Sequence, residues 1–178
     1  MKKVIFSFFI LVSLFSCKED PITEATPDTP AGNVPSEAVG KWMYGTFSMS
    51  EFWAYDGSYV GNAFELSVAF NFNADGTYEQ YFAAQTNDWS CSTQSFSYFK
   101  GTVIFTDSSF TVYPSEGNYR GYYSCTPQYN FDRDAEQSEL EVQTFYYTFE
   151  TDEFGKKWMV VRFDPADEYP SYFGPTNW

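Results

Sequence analysis

The chain has 178 residues, with 24 acidic side chains against ten basic ones, no histidine, and a formal net charge of −14. Such a balance excludes a nucleic-acid footprint, which needs a basic face. The missing imidazole removes the commonest general base and the triads and metal sites built on it. The length past the first 35 residues suits one domain with a real core.

At the N-terminus, Lys2 and Lys3 precede a largely apolar run from Val4 to Phe15. A membrane-crossing helix needs about 20 apolar residues, so this shorter run reads as the h-region of a signal peptide. It ends in Leu14-Phe15-Ser16-Cys17, which resembles the lipobox of bacterial lipoproteins. The resemblance implies cleavage after residue 16, a diacylglycerol on the Cys17 thiol, and acylation of the new N-terminus by chains such as palmitate. Two or more chains hold a protein to a membrane where one does not. The alternative is an ordinary signal peptide with Cys17 as a free or paired thiol. Lys18-Glu19-Asp20 is similar to the acidic export signal of Gram-negative lipoproteins. That implies outer-membrane anchoring with display at the cell surface; the periplasmic face, and a plain solvated charge cluster, are the other readings. Pro21, Pro27, Pro30 and Pro35 then mark a semi-rigid spacer able to span about 45 Å. The expected organisation is a signal peptide over 1–16, a lipid-anchored linker over 17–35 and a folded domain over 36–178.

Loss of Lys2 and Lys3 with the signal peptide leaves eight basic residues against 24 acidic ones, a net of −16. A surface this acidic keeps a displayed protein soluble and repels anionic ligands. With Cys17 assigned to lipid, Cys91 and Cys125 are an even pair in an oxidising compartment, and a disulfide between them is expected. Neither has a histidine to activate it as a reactive thiol.

The domain's dominant period is two. Phe64, Leu66, Val68, Phe70 and Phe72 alternate with Glu65, Ser67, Ala69 and Asn71, the pattern of a half-buried strand. In chain order, strands are expected near Lys41–Met49, Phe64–Phe72, Thr77–Ala84, Phe96–Lys100, Thr102–Thr106, Phe110–Tyr113, Asn118–Ser124, Glu139–Glu150 and Lys156–Phe163. Asn73-Ala74-Asp75-Gly76, Pro114-Ser115-Glu116-Gly117 and Asp152-Glu153-Phe154-Gly155 each place a glycine where a left-handed residue closes a hairpin. Asp56-Gly57 suits a tighter turn. No stretch offers a helix of useful length; Asp134–Leu140 suits a turn or two. Eight to ten antiparallel strands in sequence order remove their edges by closing into an up-and-down β-barrel.

Gly40-Lys41-Trp42 resembles the Gly-x-Trp signature of lipocalins, and the hairpin at 73–78 resembles those of lipocalin-like bacterial lipoproteins. The resemblance implies that Arg162, late in the last strand, packs over Trp42, so that Gly40, Trp42 and Arg162 close one end of the barrel. The family's middle motif and its C-terminal helix have no counterpart in this sequence.

Aromatic residues make up 22% of the chain, enough to fill a small barrel or to line a ligand site. Tyr119, Tyr122, Tyr123 and Tyr129 gather near Cys125, and the tail Tyr169–Phe173 is expected to pack on the domain. Small Ala83 and Ala84 leave room opposite the large residues of Phe64–Phe72. Asp132-x-Asp134-x-Glu136 alternates oxygen ligands but lacks the glycine of a calcium loop, so no metal is expected. No cofactor motif is present. The reading is a non-enzymatic lipoprotein whose barrel binds a small apolar molecule or a short carbohydrate, with partners limited to that ligand and the membrane. The alternatives are a packed interaction or structural module, and a glycosidase using two carboxylates.

Overall fold

Alternation of bulky apolar and polar residues at period two makes extended chain the only way to bury one side of each segment. In the computed structural model, which describes residues 33–46, 66–88 and 90–178, that alternation is realised as nine antiparallel strands. They are β1 (Gly40–Tyr44), β2 (Leu66–Phe72), β3 (Thr77–Asp88), β4 (Cys91–Phe105), β5 (Ser109–Tyr123), β6 (Phe131–Asp134), β7 (Gln143–Thr151), β8 (Lys157–Arg162) and β9 (Ser171–Pro175). Neighbours in sequence pair up and down, β9 returns to β1, and β4 pairs β5, so the sheet closes in a ring. The outer edge of β5 is shared: Ser109–Val112 pair with β7, and Asn118–Gly121 pair with the short β6. The signal-peptide segment, Cys17, the Asp56-Gly57 turn and Phe64 lie outside the described residues.

Two of the expected turns are present as read. Gly76 (φ 84°) closes the β2–β3 hairpin, where the Asn73 amide donates to Thr77 at 2.9 Å. Gly155 (φ 79°) closes β7–β8, where the Asp152 amide donates to Lys156 at 3.0 Å. The third is corrected: Pro114–Gly117 is no turn but a β-bulge within β5. Lys100 pairs with Glu116 and Gly101 with Pro114, which leaves Ser115 as the extra residue. The strands read separately on either side are therefore one, both in β4 and in β5. The β4–β5 hairpin turns instead at 106–109, where Thr106 and Ser109 bond to each other. Two strands went unexpected, β6 and β9. The segment 137–139 is a single 3-10 turn, held by a reciprocal Glu136–Glu139 capping box.

The ring's interior takes inward-facing residues from every strand but the short, exposed β6. Trp42, Phe70, Phe72, Tyr78, Val103, Phe110, Val112, Phe145, Tyr147, Met159, Val161 and Phe173 form one buried cluster. Its rings interlock: Phe110 lies 5.1 Å from Phe72, 5.0 Å from Phe145 and 5.5 Å from Phe70, mostly edge to face or tilted. The short turns at 73–76, 106–109 and 152–155 all close this end of the ring. Val34 and Ala38 plug it, so packed structure begins within the segment read as linker. The Trp42 indole donates to the Ala38 carbonyl oxygen at 2.8 Å.

A second cluster lies on the outer side of β1–β4, with Ala69, Tyr81, Ala83 and Phe96 buried and Met43, Tyr98 and Trp178 packed on them. Trp178 meets Tyr81 edge to face at 5.9 Å, and Lys41 donates to the Trp178 main-chain oxygen at 2.8 Å.

Candidate functional site

At the other end of the ring the interior changes character because the inward residues become small. Register places Ser97 opposite Phe82 and Tyr119, Gly117 opposite Phe99, and Ser171 opposite Val161. Where these residues face inward, rings from opposite walls do not meet. The result is an open cavity of about 610 Å³, within the range of small-molecule sites. Its floor is Phe70 and Tyr78. Its walls are chiefly apolar, among them Val68, Phe99, Val112, Phe145, Val161 and Phe173, and polar groups gather toward the mouth at Ser138, Glu139, Glu141, Gln143 and Ser171. Ala84 faces inward opposite Leu66, whereas Ala83 belongs to the outer cluster, so only one of the two alanines is on the inner side.

The mouth is shaped by the segment from β6 to the 3-10 turn. Arg133 grips Glu139 with two guanidinium bonds of 2.7 Å, and its guanidinium carbon stands 4.9 Å from the centroid of the Tyr119 ring. Those bonds, with the Glu136 amide, hold the Glu139 carboxyl down at about 2, so it is ionised at neutral pH. Burial first, and then the negative charge of Glu139, raises the Tyr119 phenol above its ordinary value. At the floor, burial pushes Tyr78 up strongly, and its hydroxyl has no hydrogen-bond partner among the described residues. A smaller, more polar pocket of about 330 Å³ lies at the bulge, bordered by Tyr78, Lys100, Gly101, Thr102 and Ser115.

Of the residues singled out from sequence, Cys91 and Cys125 are joined, with Cα atoms 5.4 Å apart. They staple the ends of the β4–β5 hairpin, beyond the positions of those strands that line the cavity, and Ser92 and Ser124 also bond to each other there. Gly40 (φ 124°) and Trp42 sit at the packed end. Arg162 is a correction. It pairs with Tyr146 on the outer side of β8, while its neighbour Val161 faces inward, so strand parity keeps it from Trp42. The ring that meets Trp42 is Phe149, at 5.6 Å, and the cation over Phe149 is Lys157, at 4.1 Å, which also pairs with Glu37 at 3.2 Å. The tyrosine group does not converge: Tyr119 lines the cavity while Tyr129 stands exposed. Asp132 is paired with Arg120 at 3.0 Å and accepts from Asn118 at 2.9 Å. Among the described residues no three acidic or cysteine side chains gather as a metal site.

Gln80, Arg133, Glu139 and the inward serines were missed. Gln80 carried a signal, since it shares parity with Tyr78 and Phe82 in a strand already recognised. No protein-family model, curated protein or solved structure matches the chain.

Proposed function

We propose that this protein is an exported lipoprotein, anchored in the outer membrane through Cys17, whose ring of strands is a lipocalin-like barrel holding a small apolar molecule or a short sugar. The observation that carries the reading is the cavity of about 610 Å³ at one end of an otherwise filled ring, with apolar walls and polar groups at its mouth. A pocket so built desolvates most of a small ligand and orients it with a few polar contacts. The spacer before the ring gives the mouth reach from a membrane.

The packed-module reading is weakened by the cavity itself. A carboxylate glycosidase is weakened by Glu139, because a general acid needs a raised pKa and this carboxyl is held low by Arg133. The reading is tested by a screen of fatty alcohols, sterols, fatty acids and oligosaccharides against intrinsic Trp and Tyr emission and melting temperature. Saturable quenching with stabilisation by a neutral or apolar compound is expected; no response from any member would remove the binding role. Anchoring is tested separately. Fatty-acid labelling should be lost in Cys17→Ala, and labelling that persists would remove the lipoprotein assignment.

A further inference from the structure

Gln80 stands out among the residues that line the cavity. Register sets it opposite Phe70 on β2 and Phe99 on β4. It is flanked on its own strand face by Tyr78 and Phe82, and it lines the cavity with them. No hydrogen bond to its carboxamide is formed by any described residue. The side chain is half-buried in a wall that is otherwise chiefly apolar, so its carboxamide stands ready for a polar contact from whatever occupies the cavity.

The charge pattern then narrows the ligand. Among the described lining residues there is no Lys or Arg, so a carboxylate or phosphate pushed to the floor would be buried without a counter-ion. At the mouth it would meet the ionised Glu139, and Arg133 beside it is already held at both ends of its fork by that carboxylate. A carboxamide offers both a donor and an acceptor and no charge. It suits a hydroxyl or a carbonyl. Resting on the reading that the cavity binds a small molecule, we infer that its ligand is an uncharged, largely apolar molecule carrying one hydroxyl or carbonyl group, inserted with that group against Gln80.

The test compares 1-decanol with decanoate at neutral pH on the full chain held in amphipol rather than detergent, for wild type, Gln80→Leu and Gln80→Met. Wild type should bind 1-decanol at least about tenfold more tightly than decanoate. Both variants should weaken 1-decanol by up to about tenfold while leaving decanoate unchanged, as expected for loss of one neutral hydrogen bond. Melting temperatures should be unchanged or raised. Equal binding of the two compounds, tighter binding of decanoate, or 1-decanol affinity unaffected in both variants would overturn the inference yet leave a ligand-binding cavity in place. Failure of both compounds to bind wild type would overturn the inference and the cavity reading together.

Discussion

The two ends of the ring are built from the same strands and differ in what those strands turn inward. At the closed end Trp42, Phe72, Phe105, Phe110, Tyr147 and Phe149 meet ring against ring and leave no room. At the open end Ser97, Gly117 and Ser171 face in, and the largest apolar side chains stay at the walls. Among the described residues the connections differ in the same sense: short turns close the packed end, whereas the 3-10 turn and the ends of the 163–171 segment border the mouth. One end therefore supplies stability to the whole ring, and the other is released from that duty and free to hold a ligand.

The sharpest way to break this division is to remove one ring from each end. Phe110 is fully buried, and Phe110→Ala should lose about 3–5 kcal/mol of stability through lost burial and a cavity. Phe163, 69% exposed at the mouth, should cost less than about 1 kcal/mol on the same change. Similar losses in urea unfolding would show that the ends are not distinct.

Second in size is the disulfide that staples the β4–β5 hairpin. Replacing Cys91 and Cys125 together with alanine should cost about 3–4 kcal/mol by the loop-entropy account, lowering the unfolding midpoint by calorimetry. A change below about 1 kcal/mol would mean that the bridge constrains little in the unfolded chain.

Adding bulk sharpens the contrast. Val103, fully buried at the packed end, has no space for a ring, and Val103→Phe should cost about 1–3 kcal/mol. Val68 lines the cavity, so Val68→Phe should cost less than about 1 kcal/mol and should weaken ligand binding by occupying its space. Equal penalties would mean that the open end is already packed.

The smallest effect concerns the mouth's ion pair. The Glu139 carboxyl lies at about 2 in the folded protein against an ordinary value of 4.5, so it contributes stability above pH 4.5 that is lost as pH falls toward 2. Glu139→Gln should make urea midpoints less dependent on pH across that window, by a small amount because the pair is exposed. An unchanged dependence would mean that Arg133 and Glu139 are not joined in solution.

Much of the fold was legible because strand parity and turn chemistry are local. The alternation through Phe72 and the glycines at 76 and 155 needed no knowledge of the rest of the chain. Pro114–Gly117 shows the limit. The same four-residue offset occurs in a bulge, and Gly117 is required there because a Cβ would stand 2.6 Å from the Phe99 ring, a fact of cross-strand packing. β6 carries Asp132, Arg133 and Asp134 and is exposed throughout, so it has the composition of a loop. β9 is bounded by Pro170 and Pro175 and reads as a tail, yet it is the strand that joins β8 to β1. The cavity was illegible for a related reason. Ser97, Gly117 and Ser171 are far apart in sequence, and only the registers of β4, β5 and β9 bring them to one end. Parity also separates Arg162 from Trp42, which a resemblance of short motifs could not reveal.

The central claim is that the open end holds a molecule. Native mass spectrometry of the full chain purified from its source tests it most directly. The account predicts one uncharged small molecule per chain, retained under gentle conditions, released on unfolding, and lost from Val68→Phe. A chain that carries no such mass, together with a Val68→Phe variant indistinguishable from it, would contradict the claim.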